Sequence, residues 1–486
     1  MQSATLPFGS WQPDIMSLSR QGTGNILNVY PVQGAYKPFR SPSDYSDALA
    51  ARCQGGLAIK DNAGNSVNFA GDKTKLYKLV DASWEDVSRT SGGAYATDAT
   101  GRWSFVQYGG NIVAANGVDA LQKFTLASAS DFVALGGSPP TATHLAVVRD
   151  FVVAGNLSTD RSAIHWSAFN DVEGWTIGTD QSDVQSFPEG GWVQGVVGGE
   201  TMYVFQETSI RRGTYVGGQI IFQFDEIASG RGLVTPGALS RIGDQIFFLD
   251  QDGFYQITSD QIIPIGAEQV NRTFWADVDT GNLDRISSAI DPVNNLVLWS
   301  YPSTSSADGQ PDSIILYNWV KQEWGKVSLS HQIMVSALQP GFTLEGLDDI
   351  NTSIDALPFS LDSRIWTGGT VYLSIFSTAS KLAYLTGDTL EGTLDTPEKQ
   401  LIPGRRARII GTRPLTDSNL ATVALGGRER LSDQVSFKAA ASMRASGSCN
   451  STKTGRYLTE RLVIPAGADW SEASGVEIEF VDAGQI

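Results

Sequence analysis

Gln245-Ile246-Phe247-Phe248-Leu249-Asp250, then Gln251-Asp252-Gly253, then Phe254-Tyr255-Gln256-Ile257, reads as a strand, a tight turn and a second strand. Two short apolar runs flank Asp252-Gly253, and glycine there supplies the positive φ that a hairpin turn needs. The same grammar recurs at residues 295–300 and 313–317, joined by a polar loop at 303–312 that is expected to be exposed and mobile. Elsewhere the chain offers short runs rich in Val, Ile, Phe, Tyr and Trp, bounded by Gly, Asn or Asp, and almost no long amphipathic helical pattern. The expected class is all-β.

These units return every 40 to 50 residues or roughly so, a period at which each unit is too small to bury its own apolar face and must stack on neighbours. Units start near Gly56, Arg102, Leu145, Val193, Ala238, Ser288 and Ile333. Several end in a turn followed by a large aromatic: residues 79–81 before Trp84, 169–171 before Trp175, and 317–319 before Trp324. A bulky ring at a repeated place suits packing between stacked sheets. The expected architecture is a β-propeller of six or seven blades over residues 55–387, followed by a β-sandwich platform over 388–486, with residues 1–54 contributing to the platform.

Of the 486 residues, 41% are hydrophobic and 18% charged, against about 25% charged in an average soluble chain. Disorder is excluded for most of the sequence. The net charge of −17 argues against a broad basic face for nucleic-acid phosphates. Within that acidic chain, residues 398–461 hold 12 Lys and Arg against 5 Asp and Glu, an asymmetry expected of a separate module with its own partner surface. Residues 1–14 lack the pattern of a secretion signal, and no apolar stretch of about 18 residues occurs, so a soluble protein without membrane insertion is expected.

The order of motifs resembles the tail nozzle proteins of short-tailed bacteriophages, the tail tubular or packaged-DNA-stabilising type. Phe8-Gly9-Ser10-Trp11-Gln12-Pro13-Asp14 is followed by Asn28-Val29-Tyr30-Pro31 and Gly34-Ala35-Tyr36-Lys37-Pro38-Phe39. In the middle, Ser209-Ile210-Arg211-Arg212-Gly213 leads to Gly230-Arg231-Gly232-Leu233 and the hairpin above; near the end, Gly455-Arg456-Tyr457 precedes Ile464-Pro465-Ala466-Gly467-Ala468-Asp469-Trp470. The resemblance spans most of the chain and implies a propeller with a β-rich platform, about six copies in a ring below adaptor and portal-side tail proteins, with tail fibres or a needle attached. It further implies a virion protein, assembled in the host cytoplasm, whose channel retains genomic DNA and lets it leave without specific binding. An acidic lumen repels phosphates and lets DNA slide. The basic segment at Arg405, Arg406, Arg408 and Arg413 is the candidate docking face toward an acidic neighbour, with a solvated or locally paired strand as the alternative. Loops 303–312 and 341–355 are the candidate gate, the second carrying Glu345, Asp348, Asp349 and Asp355.

A catalytic reading finds little to use. His144, His165 and His331 fall in separate expected units, and His165 alternates with apolar residues as a sheet-face histidine does. Zinc spacing, a nucleophile elbow and a phosphate-binding loop are missing, and the Asp-rich pieces at 61–65 and 250–253 read as turns rather than calcium loops. Cys53 and Cys449 read as ordinary buried or free thiols. No cofactor and no enzyme activity are expected. The alternative function is a propeller that binds or cleaves host-surface glycan; its weakness is that the sequence shows no recurring Asp-box-like motif and no arginine cluster in the propeller.

Overall fold

The computed structural model describes residues 2–61, 64–338 and 371–484. Seven four-stranded antiparallel meanders follow one another, each beginning with an innermost strand: Gly55–Lys60, Ser104–Tyr108, Ala142–Val148, Val193–Val197, Ser240–Ile242, Ser287–Asp291 and Ile333–Leu338. These starts lie close to the units legible in the sequence, and the described residues form seven blades. Second strands such as Phe151–Leu157 and Leu296–Tyr301 are buried along their whole length, because neighbouring blades cover both faces. That double coverage explains their unbroken apolar character.

The turn that organised the sequence reading is present, with Asp250 opposite Gly253 in register and Gly253 at φ +140°. A second reason for glycine there is tertiary: a Cβ on Gly253 would meet the Asn271 amide nitrogen at 1.8 Å. The aromatic positions also have structural content. Trp84 and Trp324 each stand in the outermost strand of a blade and reach a neighbouring blade, Trp84 against Phe376 at 5.7 Å between centroids and Trp324 against Phe254 at 5.0 Å. Trp175 lies outside a strand and packs on His165 within its own blade.

The ring closes with a borrowed strand. Blade seven consists of Ile333–Leu338, Val371–Phe376 and Lys381–Tyr384, and its fourth strand is Ser43–Ala48 from near the start of the chain. The N-terminal segment, expected to serve the platform, is thus divided: Gln2–Pro7, Ile26–Leu27, Val29–Val32 and Ala35–Pro38 join platform sheets, and the next strand joins the propeller. The strand sequence Ser43-Asp44-Tyr45-Ser46-Asp47-Ala48 is polar, as an outer edge permits, so its own pattern carries no sign of its partner.

The platform is a two-layer sandwich. One layer orders Ile26–Leu27, Gly392–Asp395, Tyr457–Ile464 and Thr422–Arg428; the other contains Val29–Val32, Ala35–Pro38, Ala473–Asp482 and Ala407–Thr416. Ile409, Val476 and Ile478 share a core with Val423, Leu425 and Leu462. The second layer continues into blade six, where Lys326 pairs with Val29 and Asn28 N–H donates to the Lys326 carbonyl at 2.8 Å. Phe8, Trp11 and Trp470 from the platform belong to the same core as Phe254, Trp299 and Trp324 of blades five and six. The charge asymmetry suggested a separate module; the packing makes platform and propeller continuous.

The 303–312 loop, expected to be exposed, is exposed at Thr304, Ser305, Ala307 and Asp308 but anchored elsewhere. Ser303, Gly309 and Pro311 are buried, Asp312 accepts from Ser303 N–H and Oγ at 2.8 Å each, and Thr304 N–H donates to the Asp277 carbonyl at 2.6 Å. Its polar side chains satisfy the loop's own backbone and anchor it on the helix Asn271–Asp277, which is why polarity at the anchored residues did not mean solvent. Asp14 accepts at that helix's first turn, from Arg272 N–H at 2.8 Å and Thr273 N–H at 2.9 Å. The other expected gate residues, Glu345, Asp348, Asp349 and Asp355, lie outside the described residues.

Candidate functional site

The four candidate docking arginines separate into two kinds. Arg405 pairs with Asp482 at 2.6 Å and Arg406 with Glu429 at 2.8 Å, contacts within the platform itself. Arg408 and Arg413 stand on the strand Ala407–Thr416, both exposed and without an ion pair among the described residues. Five positions apart, they would face opposite sides of a regular strand. A register shift between Ile409 and Gly411 brings both to the solvent face. Arg413 lines a polar cavity of about 400 Å³ with Arg444, Glu477 and Glu479.

Two further arginines of the basic segment are paired internally. Arg428 makes two hydrogen bonds of 2.6 Å to Glu398, and Arg461 reaches Asp395 at 2.7 and 2.8 Å. Such bidentate pairs are stronger than single contacts because both guanidinium arms are used in one plane. Nearby Glu460 is fully buried and pushed up to about 7, first by burial, with Thr396 Oγ donating to Oε2 at 2.6 Å. It is a proton-holding carboxyl inside the sandwich, and neither its position nor its environment was visible in the segment's charge count.

The histidines do not assemble a reaction centre. His144 and His165, expected in different units, both stand in blade three, on strands Ala142–Val148 and Ala163–Trp166. Register places His144 across from Gly155 and Ile164, one residue off from His165, so the two rings take opposite faces. His165 Nε2 lies 3.3 Å from Ser182 Oγ, its ring edge-on to Trp175. His331 is wholly buried, with Nε2 2.6 Å from Ser300 Oγ and Nδ1 2.8 Å from the Leu329 carbonyl. Burial pushes both His144 and His331 down to about 4, leaving them neutral at pH 7. Among the described residues, no three His, Cys, Asp or Glu lie together as metal ligands, and no helix is long and apolar enough to cross a membrane. Cys53 and Cys449 are free and buried.

A different group of residues meets on the propeller axis. Where the innermost strands of blades two, three, five, six and seven begin, they surround a cavity of about 320 Å³, lined among others by Arg102, His144, Gly237, Asp284, Ser288 and Met334. Arg102 donates to the carbonyls of Asp284 and Ile286, bracing blade two against the segment that enters blade six. Gly237 makes room for this, since a Cβ would stand 1.9 Å from the Ile286 carbonyl oxygen and 2.6 Å from the guanidinium. The charges of Arg52 and Arg285 act on Arg102, and burial, before that repulsion, pushes Arg52 and Arg102 down to about 10. Arg52 and Arg285 are not among the residues lining the cavity, and Arg285 Nε pairs with Asp284 Oδ2 at 3.5 Å.

No protein-family model matches the chain, and no curated protein sequence matches it. Similar solved structures include the extracellular domain of a hybrid two component system from B. thetaiotaomicron, at 10% identity and TM-score 0.43, covering 76% of this chain and 43% of that one. Others are the computationally designed Ika8 protein, at 12% identity and TM-score 0.37, with 79% and 99% covered, and a chain of the Mitotic Checkpoint Complex, at 11% and 0.39, with 72% and 95% covered. The chain thus spans less than half the length of the first of these.

Proposed function

We propose that this chain is a structural subunit of a short-tailed phage tail nozzle, a ring that retains packaged DNA and opens a path for it at ejection. The observation that carries the reading is a propeller carrying a β-rich platform, the two-part build that the motif resemblance implies, here joined through one core and one continuous sheet. A subunit of that kind resists load as a unit, because moving the platform would expose Trp11, Trp299 and Trp324 together.

The geometry also constrains how such a ring conducts DNA. The propeller's own axis holds a cavity of only about 320 Å³. A duplex whose major groove alone is about 12 Å wide does not pass there. The channel in this reading is therefore enclosed between copies, and six copies bring about −102 formal charges around it, from −17 each. Arg408 and Arg413, exposed on one strand face, are the cations available to an acidic neighbouring copy.

The test is the copy number of this chain in purified particles from its source, by quantitative mass spectrometry referenced to the portal. A ratio of six to twelve per portal ring is the expected result. Absence from particles, or a ratio matching a fibre or spike, overturns the nozzle and brings forward the glycan-binding propeller.

A further inference from the structure

We propose that the platform carries a docking site for an acidic segment of a partner protein, a pocket of about 310 Å³ lined by Arg20, Arg428 and Arg461 and rimmed by Met16, Leu18 and Leu431. Residues 17–25 form one wall, and the strands Gly392–Asp395, Thr422–Arg428 and Tyr457–Ile464 form the other. The first observation is how its ion pairs are turned. In both, the carboxylate is the more deeply buried member: the Asp395 side chain is 12% exposed against 34% for Arg461, and Glu398 is 7% exposed against 14% for Arg428. Lys123 with Glu173 and Arg211 with Glu226 are turned the other way, carboxylate outward. A pair with its cation toward water presents a positive face although its formal charges cancel.

The second observation is donor capacity left over. The lining holds three guanidiniums against those two carboxylates, and Arg20 is the surplus one. It spends Nη2 on the Pro13 and Ile15 carbonyls, while Nη1 and the buried Nε make no hydrogen bond among the described residues. Glu398, whose charge acts on Arg20, is already taken by both arms of Arg428. Arg461 gives Nε and Nη2 to Asp395, which leaves Nη1 without a hydrogen bond among the described residues, and its guanidinium lies 4.2 Å from the centre of the Phe437 ring. Stacking of that kind holds the planar donor fork in place for an incoming carboxylate.

The rim decides what kind of carboxylate fits. Arg428 also donates Nη2 to Ser17 Oγ at 3.0 Å and Nη1 to the Leu431 carbonyl at 2.6 Å, so one guanidinium ties both edges of the pocket together. Ser17 lies between Met16, which is 80% exposed, and the exposed Leu18, and Leu431 is 50% exposed. Three large apolar side chains thus stand in solvent around a cationic centre. A small hydrophilic anion has no use for them, whereas in a protein contact such neighbours exclude water from an arginine anchor. The occupant is a peptide segment whose Asp or Glu reaches the arginines while apolar residues on either side of it cover Met16, Leu18 and Leu431. The volume lies at the lower end of ligand pockets, which run from about 300 to 1,000 Å³, and receives side chains rather than a large cofactor. The inference does not rest on the nozzle reading.

The experiment is titration of the full chain into a short fluorescein-labelled synthetic peptide with one aspartate between two leucines, followed by anisotropy, with the asparagine peptide as neutral isostere and sodium acetate as the bare carboxylate. Saturable binding of the aspartate peptide, about tenfold tighter than the asparagine peptide, is expected, with about tenfold loss in Arg20→Gln and in the rim variants Met16→Asp and Leu431→Asp. Absence of saturation, equal binding of the two peptides, or affinity unchanged in all three variants overturns the proposal. Acetate competing as well as unlabelled peptide at equal concentration overturns it in favour of a small-carboxylate site. Self-association of the chain that blocks the peptide and is lost in Leu431→Asp, measured by sedimentation, overturns it in favour of a second copy. Arg20→Gln removes contacts within its own loop, and the two rim variants, at exposed positions, keep the test decisive if that variant does not fold.

Discussion

The platform arginines and the axial arginines make opposite use of sequence. Arg405, Arg406, Arg408 and Arg413 are neighbours in the chain, yet the fold disperses them, giving two internal carboxylate partners and leaving two to solvent. Arg102 and Arg285 are remote in the chain, yet the ring brings both to the segment entering blade six, where Arg102 donates to the Asp284 and Ile286 carbonyls and Arg285 pairs with Asp284 at 3.5 Å. A run of like charges along a strand is cheaply neutralised, because every adjacent strand offers an opposing position. Concentrated charge in sequence therefore carried no sign of which platform arginines are paired internally, nor of where Arg102 lies.

The comparison can be broken most forcefully at Arg102. Arg102→Ala removes charge-assisted bonds to the Asp284 and Ile286 carbonyls and is expected to lower unfolding free energy by about 4 kcal/mol, measured by urea titration. A loss no larger than that of Arg408→Ala would show that the axial arginine braces nothing.

Next in size is a pH effect on the platform side. Glu460 ordinarily titrates near 4.5 and is pushed up to about 7 in the fold. The native state then holds a proton that the unfolded chain releases, so this group's stabilisation is complete below about pH 4.5 and is lost as pH rises through about 7. The expected change is about 3 kcal/mol across that window, from a shift converted at about 1.4 kcal/mol per pH unit. Glu460→Gln should remove it, making the variant the more stable protein at pH 8; parallel stability curves for variant and wild type between pH 4.5 and 8 would refute the assignment. His144 and His331, pushed down to about 4, act in the opposite sense: their contribution is present above about pH 6.5 and lost as pH falls through about 4. Subtracting the variant's curve from the wild type's isolates Glu460 from both.

The smallest effects sharpen the division among platform arginines. Arg428→Ala leaves the nearly buried Glu398 without its bidentate partner and should cost about 2 kcal/mol. Arg405→Ala and Arg408→Ala, at exposed positions, should leave the denaturation midpoint where it is. Equal losses for all three would mean that the platform does not distinguish buried from exposed pairs.

The fold was legible where local pattern and tertiary demand coincide. Residues 245–257 declare a hairpin because a period of two and a tight turn are properties of adjacent residues, and all seven blade starts repeat that grammar. The loop at 303–312 was legible in part: its tip is exposed as polarity implied, but its anchoring was not, because hydrogen bonds to its own backbone, such as Ser303 to Asp312, use the same polar residues that solvent exposure would. The candidate docking face was half legible: charge marked the strand, but the bulge near Gly411, which alone puts Arg408 and Arg413 on one side, leaves no signature in composition.

By itself, then, the sequence determined the all-β class, the recurrence of the blade and the change of character beyond blade seven, because alternation, turn chemistry and local charge act over a few residues. Tertiary structure alone decided that Ser43–Ala48 closes blade seven, that Trp11 and Trp470 share a core with Trp299, and that Arg102 and His144 line one axial cavity. Those outcomes depend on how far-apart segments satisfy one another's edges, apolar faces and charges once the ring has closed, and a strand or an arginine carries no mark of its partner until then.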